Sequence, residues 1–214
     1  MNARKEILAL LQRRERSVKP PPPWTSRRTF DSLGEQFAQA LTANLGEVRR
    51  AVDWKAALSE MDSILEELSP RRVVLNDEQP LDRLPLSERW PSLSWRKAGE
   101  TAGDEPELLR AYCAAADLGI SGADAALAET GSVIISSGVG RSRLVTLLPP
   151  VHLVLLPASR LFVDIFTWTT ARDSDMAANV LLVSGPSKTA DIEQTMAVGV
   201  HGPKRLIVLL IEQM

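Results

Sequence analysis

The 214-residue sequence holds a single cysteine, Cys113. A lone thiol forms no intramolecular disulfide and cannot hold an iron–sulfur cluster, which takes a set of cysteine thiolates. Any redox chemistry is therefore expected to come from outside the chain. Histidine is scarce as well: His152 lies inside the apolar run VHLVLLP and His201 in GVHGPK. Neither has a cysteine or a second histidine at ligand spacing, so no metal site is expected. An excess of one charge is also missing. The 25 Lys and Arg against 27 Asp and Glu leave a formal net charge of -2, too little for a basic field that gathers nucleic acid or an anionic membrane. No apolar run approaches the roughly 20 residues of a spanning helix, and MNARKEILALLQRRER has no apolar signal core. The chain is expected to carry no membrane span and to reside in the cytoplasm.

What is present is ordinary globular usage, 44% hydrophobic and 24% charged, with enough length for one substantial core and a small appendage. Ile7, Leu8 and Leu11 form a narrow helical stripe, followed by the charged stretch Arg13 to Arg16 and the prolines Pro20 to Pro23. This reads as an arm on a stiff spacer, which at ~3.1 Å per residue extends about 12 Å, with Trp24 placed to anchor its far end. The division expected is a helical arm and proline-rich spacer over 1–28 and an α/β domain over 29–214.

Within that domain, Phe30, Leu33, Phe37, Ala40 and Leu41 recur at helical spacing, and residues 53–68 repeat the pattern. EVRRAV (47–52) and RRVVLN (71–76) read as the first strands. Residues 77–103 show little periodicity apart from a short strand at SLSWR. From 117 onward, DLGIS, SVIIS, VHLVLLP, NVLLVS and RLIVLLIE are mostly unbroken apolar runs, the pattern of parallel strands covered on both faces. ADIEQTMAVGV (190–200), with Ile192, Met196 and Val200 four apart, is predicted as a helix between two of these strands.

Two loops could carry chemistry. In SSGVGRSR, Ser137, Gly138 and Gly140 give flexible backbone beside the guanidinium forks of Arg141 and Arg143, a carboxylate or phosphate clamp or else a polar turn. In SGPSKTADIE, Ser184, Gly185, Ser187 and Thr189 lead into the predicted helix, whose start either receives an anion or is simply capped. If the strands before both loops run parallel, the loops meet at one sheet edge. Asp124 and Glu129 in GADAALAETG could act as acid and base if both reach one cleft. Cys113, in LLRAYCAAA, reads as core packing.

GISGADAALAETGSVIISSGVGRSRLVTLLPPVHLVLLPASR together with NVLLVSGPSKTADIEQTMAVGVHGPKRL resembles the lactate utilisation protein C family, also called the LUD domain. The resemblance is dense over residues 117 to 210. It implies a three-layer α/β/α sandwich with a mostly parallel central sheet, as in the superfamily of ribose-phosphate isomerases, sugar-phosphate isomerases and CoA transferases. By that comparison Gly122, Ala123 and Asp124 match a Gly-Ala-Asp segment, and 123–132 is a loop and hairpin despite its helix-favouring alanines. Glu129-Thr130-Gly131 is similar to a catalytic Glu-Asn-Gly turn of some CoA transferases, with Asn replaced. Thr130 and Gly131 from this turn, and His201 and Lys204 in GVHGPK, join the candidate ligand-binding residues.

The resemblance further implies a component of a bacterial system oxidising L-lactate to pyruvate. Iron–sulfur clusters are then expected on partner subunits, with none bound by this chain, and a small anionic ligand is expected in its cleft. The competing expectation is a free-standing enzyme of the isomerase or transferase class, acting on a sugar phosphate or a CoA ester.

Overall fold

The computed structural model describes residues 3–5, 7, 24–101, 106–172, 177–190, 196–198 and 201–214. Helix α1 (Leu33–Ala43) starts where Ser32 Oγ accepts the Glu35 N–H, and strand β1 (Glu47–Ala51) follows. Helix α2 (Trp54–Leu68) is capped by Asp53, whose carboxylate accepts the Ala56 N–H at 2.8 Å. Then come β2 (Arg72–Leu75), β3 (Ser94–Lys97), α3 (Pro106–Ala115) and β4 (Leu118–Gly122). A hairpin, β5 (Ala125–Leu127) and β6 (Ser132–Ser136), leads to α4 (Arg143–Leu147) and β7 (Val151–Pro157). Further along come β8 (Leu161–Phe162), α5 (Ile165–Ala171), β9 (Val180–Val183), β10 (Lys188–Ala190), β11 (Met196–Val198) and β12 (Arg205–Ile211).

The central sheet has the order β1-β12-β7-β4-β2-β3, and every neighbouring pair is parallel. One face, carrying Val73, Leu118, Leu153, Leu155 and Ile207, packs on Met61 and Ile64 of α2 and on Leu81, Leu84 and Trp90. The segment holding Trp90 is pinned to α2 because Asp62 Oδ1 accepts both Arg89 Nε and Trp90 Nε1 at 2.9 Å. The opposite face, with Val154, Leu156, Leu206 and Val208, packs on Phe37 and Leu41 of α1 and on Ala126, Val133 and Ile135. Each fully buried leucine or valine adds about 1.5–3 kcal/mol relative to exposure, which is why β7 and β12 are apolar at nearly every position. Gly119 lets α4 cross the sheet, since a Cβ there would lie 2.0 Å from the Val145 carbonyl oxygen.

The expected three layers are present, with one difference. The outer layer over Val154 and Leu206 combines helices with a second sheet of order β8-β5-β6-β9, in which β6 runs antiparallel to both β5 and β9. SVIIS and NVLLVS, expected in the parallel sheet, form β6 and β9 of this smaller one. β6 reads as an unbroken apolar run because Val133 and Ile135 face the central sheet while Ile134 packs outward with Phe162 and Trp168. The hairpin over 123–132 forms as the resemblance implied, against helix propensity.

ADIEQTMAVGV departs from the predicted helix. Residues 188–190 and 196–198 pair as an antiparallel ladder, Thr189 opposite Ala197, while 191–195 and 199–200 lie outside the described residues. Three apolar residues four apart are too sparse to separate a helix from a short ladder. Most of the arm also lies outside the described residues: 3–5 and 7 are helical, but Leu8, Leu11 and Pro20–Pro23 are not described. Trp24 packs edge-on against Phe166, with ring centroids 4.3 Å apart.

Two buried groups take no part in a surface site. Cys113 is fully buried in α3 and burial pushes its thiol up to about 11, in keeping with core packing. His152 on β7 is fully buried with Nε2 2.8 Å from Ser121 Oγ, and burial pushes its pKa down to about 3. Its ring is therefore neutral.

Candidate functional site

The parallel sheet has a carboxyl edge, where its strands end, and an amino edge, where they begin. The antiparallel pairing of β6 with β9 sends the two candidate loops to different edges. Ser137, just after β6, donates its N–H to the Asn179 carbonyl just before β9. Ser184, just after β9, instead meets Ser132 at the start of β6. With four paired residues between them, the two loops are separated by about 14 Å of strand.

The carboxyl edge gathers Asp124, Ser137, Gly138, Gly140, Arg141 and Arg143. Gly138 and Arg141 exchange both backbone hydrogen bonds at 3.0 Å, which closes a tight turn. Gly140 takes φ +71 there, and a Cβ would press on Asp77 at 3.1 Å. The turn is fixed to the end of β2, where Asp77 N–H donates to the Gly140 carbonyl at 2.9 Å and Ser142 N–H donates to buried Asn76 Oδ1 at 3.0 Å. Arg141 points back across the edge and donates from Nη1 to Asp124 Oδ1 at 2.7 Å, while Asp124 Oδ2 accepts the Ser136 N–H at 2.7 Å.

A second carboxylate, Glu78, approaches the same guanidinium nitrogen, its Oε2 3.7 Å from Arg141 Nη1. Its Oε1 accepts Gly122 N–H at 3.0 Å and Asn76 Nδ2 at 3.1 Å. Burial pushes its pKa up; the Asn76 and Gly122 hydrogen bonds and the Arg141 charge oppose this, while Asp124 adds to it. Clefts open on both flanks of the turn. One of about 570 Å³ is lined by Asp124, Ser136, Arg141, Phe162, Trp168 and Arg172. The other, about 560 Å³, is lined by Gly138, Arg141, Ser142, Arg143 and Leu144. Arg172 lies over the Trp168 ring at 5.3 Å. The arrangement offers guanidiniums and hydroxyls to a carboxylate or phosphate, beside two carboxylates able to exchange a proton.

The other candidates sit away from this cleft. Glu129 lies at the far end of β5 from Asp124, about 15 Å along an extended chain, and pairs with Arg28. The two acids thus border different surfaces. Thr130 Oγ1 bonds Ser132 Oγ at 2.7 Å, and Asn44 donates to the Thr130 carbonyl. Gly131 (φ +65) lies against the end of α1, and Gly185 against the Asn44 carbonyl. Ser187 donates its N–H to Pro203, and Lys204 donates its N–H to Pro150 at 2.8 Å. Ser187 and Lys204, with His201, border the starts of β7 and β12, and Thr189 lies in strand β10. Among the described residues no group of three or more His, Cys, Asp or Glu could hold a metal ion, and no helix is long and apolar enough to cross a membrane.

Sequence reasoning missed Asn76 and Glu78. The signal was available: NDE directly follows the apolar strand VVL, and ligands of open α/β sheets gather at strand carboxyl ends.

An all-parallel six-stranded sheet with a charged cleft at its carboxyl edge defines a class of α/β protein whose polar side chains gather at strand ends. The LUD domain matches residues 34–211, and the chain belongs to that family. It is 31% identical to "Lactate utilization protein C" of Halalkalibacterium halodurans over 94% of this chain and 91% of that one. It is 40% identical to the protein of the same name from an Exiguobacterium species over 51% of this chain and 50% of the relative. A solved DUF162 family protein from Deinococcus radiodurans shares the fold, with a TM-score of 0.56 and 19% identity over 84% of this chain and 96% of that one.

Proposed function

We propose that this chain is a component of a bacterial system that oxidises L-lactate to pyruvate, working in the cytoplasm with iron–sulfur partner subunits, and that the cleft beside Arg141 receives a small carboxylate. The observation that carries this reading is the similarity to a lactate utilization protein C along 94% of the chain. Conversion of lactate to pyruvate releases two electrons and two protons. With Cys113 as its one cysteine, this chain has no thiolate set for a cluster, so the electrons pass to partners. Arg141 supplies a forked donor for the carboxylate, worth about 1.5–3 kcal/mol for a charged hydrogen bond. The test is growth on L-lactate as sole carbon source by a strain lacking this chain. Growth is lost, is restored by the wild-type chain, and is restored poorly by Arg141→Ala, while iron–sulfur proteins co-purify with the tagged chain. Undiminished growth on L-lactate without the chain refutes the reading.

One observation favours the alternative of an enzyme acting on a sugar phosphate or CoA ester. A cleft of about 570 Å³ is in the range that holds ligands well above three-carbon size. Calorimetric titration with L-lactate, a sugar phosphate and a CoA ester separates the two.

A further inference from the structure

We infer that the cleft takes up its anion together with a proton, and that Glu78 is the residue that accepts the proton. This rests on the reading of the cleft as an anion site and adds to it what enters with the anion.

Three formal charges meet at the carboxyl edge. Asp124, at 2.7 Å, and Glu78, at 3.7 Å, both approach Nη1 of the Arg141 guanidinium. With both carboxylates ionised the trio carries one net negative charge and repels an incoming anion. With Glu78 neutral it carries none, and the remaining donors of Arg141 are available to the ligand. The neighbouring charges act alike in both states: Asp77, beside Glu78, pairs with Lys97 at the end of β3, and the Arg160 guanidinium donates to the Ala123 carbonyl next to Asp124. Arg143 and Arg172 stand in the outer walls of the clefts, where they attract the anion in either state.

The hydrogen bonds decide which carboxylate takes the proton, and on which oxygen. Both Asp124 oxygens already accept, one from Ser136 N–H and one from Arg141. Glu78 Oε1 accepts from two donors, Gly122 N–H and Asn76 Nδ2. Glu78 Oε2, by contrast, is 3.7 Å from Arg141 Nη1, beyond hydrogen-bond length. A proton on Oε2 therefore leaves every bond in place, whereas a proton on Asp124 would remove the negative charge from the short bond that Arg141 donates. The Glu78 side chain is 10% exposed, and its burial favours the neutral form in advance of any ligand. An anion at Arg141 weakens the Arg141–Glu78 attraction and adds like charge nearby, so binding and protonation assist each other by linkage.

The test is calorimetric titration of the full chain with L-lactate, at several values between about pH 6 and 8 where lactate itself is ionised. Two buffers of different ionisation enthalpy are compared. The expected result is uptake of up to one proton per anion bound and an affinity that weakens as pH rises, approaching tenfold per pH unit. Glu78→Gln keeps an oxygen for Gly122 and Asn76 and removes both the uptake and the pH dependence. Binding by the wild type without proton uptake overturns the inference and leaves the anion site standing, and this result needs no variant to fold. Uptake that persists undiminished in a folded Glu78→Gln protein also overturns it. If neither lactate, a sugar phosphate nor inorganic phosphate binds, the anion site and the coupling both fall.

Discussion

The amino and carboxyl edges of the central sheet are built from similar residue types and put them to different use. At the amino edge, hydroxyls satisfy hydroxyls: Thr130, Ser132 and Ser184 form a chain at 2.7 and 2.6 Å. Charges are matched as well, Arg205 holding Glu47 with two bonds at 2.8 Å and reaching Glu67 with another. Glycines there, Gly131 and Gly185, allow backbone to lie directly on backbone. At the carboxyl edge one guanidinium serves two carboxylates and borders two clefts. Serines, glycines and arginines thus close upon each other at the amino edge, whereas at the carboxyl edge one arginine shares two carboxylates and stays in the walls of two clefts.

The largest effect is expected from disturbing the closed edge. Gly131→Ala places a Cβ about 2.2 Å from the Leu41 amide nitrogen, at φ +65, which costs about 2–4 kcal/mol in left-handed strain and overlap. The melting temperature should fall by about 4–16 °C for a chain of this size. Anion affinity per folded molecule should stay as in the wild type. An unchanged melting temperature with lost anion binding would show that the amino edge is the functional one.

A milder probe is Ser184→Ala. Ser132 keeps its bond to Thr130, so removal of one partner should cost about 1 kcal/mol and a few degrees of melting temperature, with no effect in the cleft. If this substitution weakens binding of lactate or phosphate in calorimetry, the hydroxyl chain belongs to a ligand site.

The contrast between edges also explains what could be read from sequence. The parallel sheet was legible because strands covered on both faces are apolar at consecutive positions, as β7 and β12 are. The same signal misplaced SVIIS and NVLLVS, since a strand sandwiched inside a small antiparallel sheet is equally apolar. That single change of strand direction separated Arg141 from Ser187 and Thr189. Asp124 and Arg141 were legible as polar residues beside flexible turns. Their partner Glu78 is 46 positions before Asp124 in the chain, and no local pattern joins the ends of β2 and β4 until the sheet order is known.

The pH dependence of stability reads the incomplete pairing without any ligand. Burial holds Glu78 above the ordinary glutamate value of 4.5. Between 4.5 and its folded value, the folded chain keeps a proton that the unfolded chain has released. Its contribution to stability is therefore full below 4.5 and is lost as pH rises through the folded value, with a slope of at most about 1.4 kcal/mol per pH unit. His152 runs the other way. Its pKa falls from 6.5 unfolded to about 3 folded, so its contribution is present above 6.5 and is lost as pH drops toward 3. Above 4.5, up to the folded Glu78 value or 6.5, whichever comes first, the two slopes oppose each other, and the wild-type stability curve alone conceals both. Glu78→Gln removes one of them. Urea unfolding of both proteins from about pH 4 to 8 should show the variant gaining stability relative to the wild type as pH rises above 4.5, the gain levelling off once the folded Glu78 value is passed. A difference that stays constant with pH would mean that Glu78 is ionised in the folded chain as readily as in the unfolded one, and that the carboxyl edge is as fully paired as the amino edge.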